Sequence, residues 1–160
     1  MTELVNPNPT VFHHSEEPLR RSAAELLREQ DDTVRDPLDA LEVYEHIRRI
    51  RDPEHPNTLE QLRVVRPQHI TVDESRQLVR VEFTPTVPHC SMTTLIGLCI
   101  HVRLQRALPV HTKIDIRVAP GTHEQEQQVN KQLGDKERVA AALENSNLLN
   151  VVESCLNEFD

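Results

Sequence analysis

The chain has almost no aromatic residues, with no tryptophan, one tyrosine and three phenylalanines among 160 residues. Proteins that bind single-stranded nucleic acid stack bases on aromatic rings, and this chain offers few such platforms. Its net charge is −8, with 26 acidic against 18 basic residues, and it has no Lys/Arg cluster interleaved with aromatics. Because nucleic-acid binding requires concentrated positive charge, we expect no direct contact with nucleic acid.

Long hydrophobic runs are also missing, since no apolar run approaches the roughly 20 residues that a membrane span needs. The opening residues, MTELVNPNPT, lack the basic-then-apolar order of a signal peptide. We therefore expect no membrane insertion and a cytoplasmic location, with a nuclear one as an alternative. In such a reducing compartment the three cysteines should be free thiols.

The sequence lacks the motifs of a resident cofactor. With three glycines in all, it has no Gly-rich phosphate loop, and no C-x-x-C spacing occurs. A structural zinc or iron–sulfur site needs about four protein ligands. We expect no tightly bound cofactor, only a transient iron–sulfur cluster or adventitious zinc. Any metal would be incompletely ligated unless Cys90 were joined by His89, His123 or a second molecule.

The chain divides into a tail, residues 1–35, and one domain, residues 36–160. The tail contains turn residues at 6–9 and a short candidate helix at 22–30, whose strong apolar anchors are Leu26 and Leu27. So short a helix with two anchors is marginal in water. We expect a variable, flexible N-terminal segment.

The domain pattern predicts a small two-layer α+β fold. Val79, Val81 and Phe83 alternate with charged residues, which is the period of a half-buried strand. A strand at 69–72, led in by Val64 and Val65, should pair with it as a hairpin. A buried helix to about residue 107 and a strand at 112–118 follow, giving β-β-α-β with a parallel, right-handed crossover and a mixed sheet packed by helices. Further helices should begin at about residues 36, 135 and 148.

Three smaller features carry local predictions. Thr58 with Gln61, and Thr122 with Gln125, have capping-box spacing. Gly97 inside the buried helix indicates a close approach of backbone. The polar segment at 120–133 has few anchors, so it should be exposed, docked on a partner or partly loose, and it could mediate a domain-swapped homodimer.

The most informative stretch is residues 83–100, FTPTVPHCSMTTLIGLCI. Pro85 and Pro88 stiffen the approach, Ser91 is a good N-cap, and Cys90 stands just ahead of the helix. The unpaired N–H groups and positive dipole there stabilise a thiolate, so the Cys90 pKa should fall. We predict Cys90 to be the most reactive thiol. Cys99 and Cys155 lie on apolar stripes and should be inert.

The role of Cys90 stays open at this level. His89 and Cys90 could form a nucleophile–base pair, but adjacent residues on a tight turn rarely face each other. A thiolate ligand for a transferred metal or cluster, or a transient contact to a client protein, fits better, and a small residue filling a corner is the plain alternative. A polar recognition surface or simply a solvated face is predicted from His123, Asn130, Lys131, Asp135, Lys136 and Arg138.

Four motifs in one order resemble a known family. They are TPTVPHCSMTTLIGLC (84–99), RDPEHPNTLEQL (51–62), PGTHEQEQQVNKQL (120–133) and DKERVAAALEN (135–145). They are similar to the MIP-family targeting factors of cytosolic iron–sulfur assembly, of component-2 type, which are related to bacterial SufT and PaaD proteins. The resemblance covers residues 37–157.

The resemblance implies an adaptor and not an enzyme. Family members join a β-propeller (WD-repeat) subunit and a HEAT-repeat scaffold subunit in a complex that delivers iron–sulfur clusters to cytosolic and nuclear client apoproteins. The family's reactive cysteine in its PHCS motif falls on Cys90, with Pro88, His89 and Ser91 as supporting residues. Of its two branches, one has broad clients and one serves iron regulation, and this chain has features of both. Some insect members are also linked to chromosome segregation.

Two other classes of function remain. A thiol-dependent enzyme would act through Cys90, but the sequence shows no separate, positioned base. A purely structural interaction module would use Cys90 only for packing.

Overall fold

The computed structural model describes residues 11, 38–86 and 90–156, without the Cys90 side chain. The predicted tail, apart from Val11, therefore lies outside the described residues. The elements in order are α1 (Ala40–Ile47), a 3-10 turn (Pro67–His69), β1 (Ile70–Asp73), β2 (Leu78–Phe83), α2 (Cys90–Ala107), β3 (Lys113–Val118), α3 (Glu126–Gly134), α4 (Lys136–Glu144) and α5 (Ser146–Leu156). The predicted α+β class is confirmed.

The three strands form one mixed sheet with β2 in the centre. On one side β1 pairs with β2 antiparallel, placing Ile70 opposite Val81. On the other side β3 pairs with β2 parallel, placing Ile116 opposite Val81. Because parallel neighbours cannot be joined by a tight turn, α2 carries the chain back across the sheet. The predicted hairpin and β-α-β crossover are both confirmed.

The alternating pattern of β2 separates two environments. Val79, Val81 and Phe83 are buried in the core. Between them, Arg80 is paired in register with Asp115 of β3, and its Nε donates to Asp115 Oδ2 at 3.0 Å. The sheet therefore has one apolar face under the helices and one face that carries cross-strand ion pairs.

Helix α2 is the centre of the core. Its residues from Leu95 to Ile100 are all buried, and Gly97 among them lies against α3. Helices α1, α3 and α5 and strand β3 all pack on α2. The prediction of a helix that is apolar nearly all round is confirmed, because neighbours cover it on several sides.

The polar segment after β3 docks on its own domain. Its two anchors, Val129 and Leu133, are buried, and α3 packs against β3 and α2. The predicted capping box at Thr122 is wrong: the Thr122 hydroxyl donates to Ala119 O, and the Gln125 amide donates to the His123 ring instead. The Thr58–Gln61 box is confirmed by reciprocal bonds of 3.0 and 3.2 Å.

Two boundaries differ from the sequence pattern. Val64 and Val65 are buried but not in a strand, since the Val64 carbonyl accepts from the Thr84 amide at 2.8 Å outside the β1–β2 ladder. Pro67 then starts a 3-10 turn, so the strand begins only at Ile70. The last helix starts at Ser146, and predicted Phe159 lies outside the described residues.

Gly97 is the point of closest approach between α2 and α3. A Cβ there would lie 2.5 Å from Leu133 Cδ1 and 3.3 Å from Leu133 Cγ. The approach predicted at Gly97 is therefore made by a side chain and not by backbone. Leu133 is buried, so it cannot leave this contact without exposing apolar surface.

We predict that Gly97→Ala destabilises the domain by about 1–2 kcal/mol, because overpacking outweighs a helix-propensity gain of about 1 kcal/mol. In a Leu133→Ala background the clash is gone, and Gly97→Ala should become stabilising. Urea unfolding of the four proteins tests this reversal of sign. An equal loss of stability in both backgrounds would contradict the assignment of the clash to Leu133.

Candidate functional site

The candidate site lies at the edge of the sheet where β2 and β3 end. Since α2 returns the chain from the end of β2 to the start of β3, its first turn lies beside the carboxyl ends of both strands. Cys90 is the first residue of α2, and residue 123 follows β3 by a few positions. In open sheets with parallel strands this edge is where ligands usually bind.

Helix α2 begins two residues earlier than predicted, at Cys90 instead of Met92. Cys90 is already helical, so Ser91 lies within the first turn, exposed, and is not the N-cap. Cysteine is tolerated in a first turn, which places its backbone directly among the unpaired N–H groups. A lowered pKa for Cys90 stays a prediction. Residues 87–89, including Pro88 and His89, and the Cys90 side chain lie outside the described residues.

The approach to Cys90 is held by the buried carboxylate of Asp52, which is 5% exposed. Its Oδ1 accepts from the backbone amides of Glu54 at 2.8 Å and His55 at 3.2 Å. Its Oδ2 accepts from the Thr86 hydroxyl at 3.2 Å. One carboxylate thus joins the loop after α1 to the segment that enters α2, four residues before Cys90.

Sequence reasoning did not single out Asp52. A signal was present, because an Asp followed two and three residues later by free amides in a proline-bounded turn is typical of an Asx turn. The partner Thr86, distant in sequence, could not be found in this way.

His123 is buried, at 9% exposed, and one of its ring nitrogens has no partner. Its Nδ1 accepts from the Gln125 amide at 3.0 Å, while Nε2 is buried without a hydrogen bond. A ring whose Nδ1 accepts must carry the neutral-form proton on Nε2. Nε2–H is therefore a buried donor that has no acceptor among the described residues. It lies at the sheet edge where α2 begins.

This tautomer bears on the predicted ligand set of Cys90, His89 and His123. A metal bound at Nε2 requires that nitrogen to be unprotonated, with the proton on Nδ1. Here the Gln125 amide occupies Nδ1, so His123 is better suited to donate to an anionic sulfur than to hold a cation. Among residues 38–86 and 91–156, no group of three or more His, Cys, Asp or Glu could hold a metal ion. The ligand set itself stays a prediction.

A second orphaned nitrogen belongs to His55. Its Nε2 is buried without a hydrogen bond, and its backbone amide is held by Asp52. This histidine was not singled out in the sequence analysis. It was missed because nothing in the local pattern indicates burial in a segment with two prolines.

The predicted polar surface on α3 and α4 divides by role. Asn130 is used internally, since its Oδ1 accepts from the Val118 amide at 2.7 Å. Asp135 caps α4 by accepting from the amides of Glu137 and Arg138, and its carboxylate lies 3.5 Å from Arg138 Nε. Lys131, Lys136 and Arg138 are exposed. These three cations are the part of the predicted surface that faces water.

This surface is joined to the first half of α2. The Thr94 hydroxyl donates to Gln132 Oε1 at 3.2 Å, and Thr94 lies one helical turn after Cys90. Gln132 and Arg138 also line a shallow hollow of about 200 Å³ between the three helices. The start of α2 and the exposed cations therefore belong to one continuous region.

The other two cysteines are part of the core. Cys99 and Cys155 are both buried free thiols. A hydrogen bond with Cys155, burial and the nearby charge of Asp52 raise the pKa of the Cys99 thiol well above its usual value. The hydrogen bond with Cys99 lowers the pKa of the Cys155 thiol, although burial opposes this. The predicted burial of both sulfurs is confirmed, and their low reactivity stays a prediction.

Comparison with known proteins decides the family. Residues 41–121 match the family described as iron–sulfur cluster assembly protein. The chain belongs to that family. It is 55% identical over 153 residues to "Protein AE7" of Arabidopsis thaliana, covering 96% of this chain and 95% of the relative. The matched range includes the PHCS segment at 88–91.

Animal relatives are similar over nearly the whole chain as well. "Cytosolic iron-sulfur assembly component 2B" of Mus musculus is 52% identical over 155 residues, covering 96% of this chain and 91% of the relative. "MIP18 family protein galla-2" of Drosophila melanogaster is 49% identical over 155 residues, covering 97% and 96%. The predicted membership of the MIP family is confirmed.

We predict a measurable coupling between Asp52 and Thr86. Asp52→Ala leaves two amides and a hydroxyl without their acceptor and should cost about 1–3 kcal/mol, while Thr86→Val should cost about 1 kcal/mol. In the Asp52→Ala background, Thr86→Val should cost clearly less than it does in the wild-type background. Urea unfolding of wild type, the two single variants and the double variant gives the double-mutant cycle. Glu54→Ala, at an exposed position, is the control. Additivity within about 0.3 kcal/mol would show that the contact contributes nothing.

We also predict selective alkylation of Cys90. With iodoacetamide on the native protein at pH 7, Cys90 should react at least about tenfold faster than Cys99 or Cys155, which react only after local unfolding. Mass spectrometry of peptides over time gives the three rates. The rate at Cys90 should reach half its maximum below about pH 8.5, the value for an ordinary thiol. A midpoint at or above that pH would refute the lowered pKa.

Proposed function

We propose that this protein is an adaptor subunit of cytosolic iron–sulfur assembly. In this proposal it joins a β-propeller subunit, a HEAT-repeat scaffold subunit and client apoproteins in the cytoplasm and nucleus, and Cys90 is its chemically active residue. Family membership and the name of the mouse relative support the pathway. The observation that carries the role of Cys90 is its position as the first residue of α2, at the carboxyl edge of the sheet.

The chemistry proposed for this edge is the handling of an iron–sulfur cluster as cargo. A Cys90 thiolate, favoured by the helix terminus, would supply one ligand to iron. The unpartnered Nε2–H of His123 would donate to an anionic sulfur, whether of the cluster or of a thiolate. With a single cysteine in this role, the cargo can leave for a client that offers a fuller set of ligands.

The same geometry favours an adaptor over a thiol enzyme. A general base must have a free lone pair within reach of the nucleophile. His123 does not offer one, because Nδ1 already accepts the Gln125 amide and Nε2 carries the proton. The enzyme alternative would therefore depend on His89, the neighbour in sequence, for which the pairing geometry is poor.

We assign partner recognition to the exposed cations of α3 and α4. Lys131, Lys136 and Arg138 are exposed on rigid helices joined to the start of α2. Exposed charges of this kind set specificity and association rate more than affinity. A homodimer formed by swapping residues 120–133 would reuse the contacts of Val129 and Leu133 in a second copy, and it stays a prediction, as does a role in chromosome segregation.

The test is quantitative affinity purification from cell extract with wild type, Cys90→Ala and the control Ser91→Ala, after all three show the same unfolding midpoint. We expect the β-propeller and HEAT-repeat subunits to bind all three proteins. Client apoproteins, or their cluster content, should fall at least about tenfold with Cys90→Ala alone, because the thiolate is the ligand that is lost.

Two results would count against the proposal. Recovery of no iron–sulfur assembly protein with wild type would refute the adaptor function. Full client binding and cluster content with Cys90→Ala would leave the adaptor function in place and refute the role of Cys90. The purified protein should also turn over no substrate by itself.

A further inference from the structure

A groove of about 510 Å³ lies at the end of α2 opposite to Cys90. Ala107, the last residue of α2, lines it, and the 18 residues of the helix separate the two ends by roughly 25 Å. The other walls come from the end of β1, the start of β2 and the loop that precedes β3. The groove is therefore separate from the site proposed above.

The floor of the groove is apolar, and its volume is in the range of sites that hold several side chains or a small ligand. The aliphatic residues that line it are Leu38, Val72, Leu78, Val79, Ala107 and Leu108. Beside it, Val110 is fully exposed. An apolar surface of this kind is more stable when another apolar group covers it.

The rim of the groove is acidic. Among the residues that the structure describes, Glu42, Asp73 and Glu74 contribute to its lining, and no lysine or arginine does. Asp73 Oδ2 lies 3.8 Å from Arg76 Nε. Glu74 is exposed. The groove therefore suits an occupant that combines apolar anchors with positive charge.

The chain itself contains a segment with these properties, and it is joined to the groove through Leu38. Leu38, which lines the groove, is preceded in the chain by 37 residues. Within them, residues 19–28 read LRRSAAELLR, with Leu26 and Leu27 as adjacent anchors and three arginines against one glutamate. The residues between 28 and 38 can span at most about 33 Å, so the segment cannot move far from the groove.

We infer that residues 19–28 dock into this groove in the same molecule. Leu26 and Leu27 cover the apolar floor, and the arginines lie beside Glu42 and Glu74. Tethering converts docking into an intramolecular event with an effective concentration in the millimolar range, so weak contacts suffice.

Hydrogen–deuterium exchange of the full chain tests this inference. We compare wild type with Leu26→Ser/Leu27→Ser, and use Ala23→Ser/Ala24→Ser as a control that keeps both anchors. Amides of residues 74–78 and 108–112 should exchange at least about threefold faster in the leucine variant and at the wild-type rate in the control. Amides of β2 near Val81 report that the fold is intact.

A charge reversal on the groove side gives a second test. At low salt, Glu74→Lys should raise the exchange rates of the same amides above the wild-type rates. This difference in rate should shrink at high salt, because salt screens the attraction between the acidic rim and the arginines. Glu144→Lys, an equally exposed site at the end of α4, is the matched control. Since both residues are exposed, neither change should disturb the core.

Three outcomes would overturn the inference. Equal exchange in wild type and the leucine variant would show that the segment does not cover the groove. Protection that rises with protein concentration would assign the groove to a second copy of the chain. Wild-type exchange in Glu74→Lys at low salt would show that the acidic rim does not hold the segment.

Discussion

Parallel pairing of β2 with β3 is the constraint on which the rest of this structure depends. Two parallel strands need a crossover, and α2 supplies it by running back over the apolar face of the sheet. That path buries α2 from Leu95 to Ile100, and it brings the first turn of the helix to the edge where both strands end. The position of Cys90 is thus a result of topology, and the core that fixes it is the same core that stabilises the domain.

Asp52 then holds the segment that enters α2, whose position the sheet topology alone does not fix. Between β2 and α2, the Thr86 hydroxyl donates to this buried carboxylate, which also accepts from two amides of a distant loop. A buried charge is costly unless hydrogen bonds surround it, and here three donors do so. The loop after α1 and the approach to Cys90 are therefore one cooperative unit.

The periodicity of apolar residues in the sequence was enough to predict the strands and helices whose buried face is marked by their own residues. The alternation in β2 and the apolar surface of α2 predicted both elements and their burial, because strand and helix periods record which face is covered. Val64 and Val65, the predicted lead-in to the first strand, lie outside it because Pro67 starts a 3-10 turn ahead of Ile70. The capping box at Thr122 failed because the His123 ring takes the amide, and such competition between neighbours is decided in three dimensions. At the candidate site, Cys90 was visible from its position before a helix, whereas the Asp52–Thr86 contact joins residues 34 positions apart and leaves no local pattern.

The bond from the Gln125 amide to His123 Nδ1 has a mechanical consequence. Gln125 is the residue from which α3 begins, and this amide bond replaces the missing side-chain cap. A bare cation such as zinc could use Nε2 only after the proton moved to Nδ1, which would break that bond and loosen the start of α3. The tautomer of the His123 ring is therefore coupled to the start of the helix that carries Lys131.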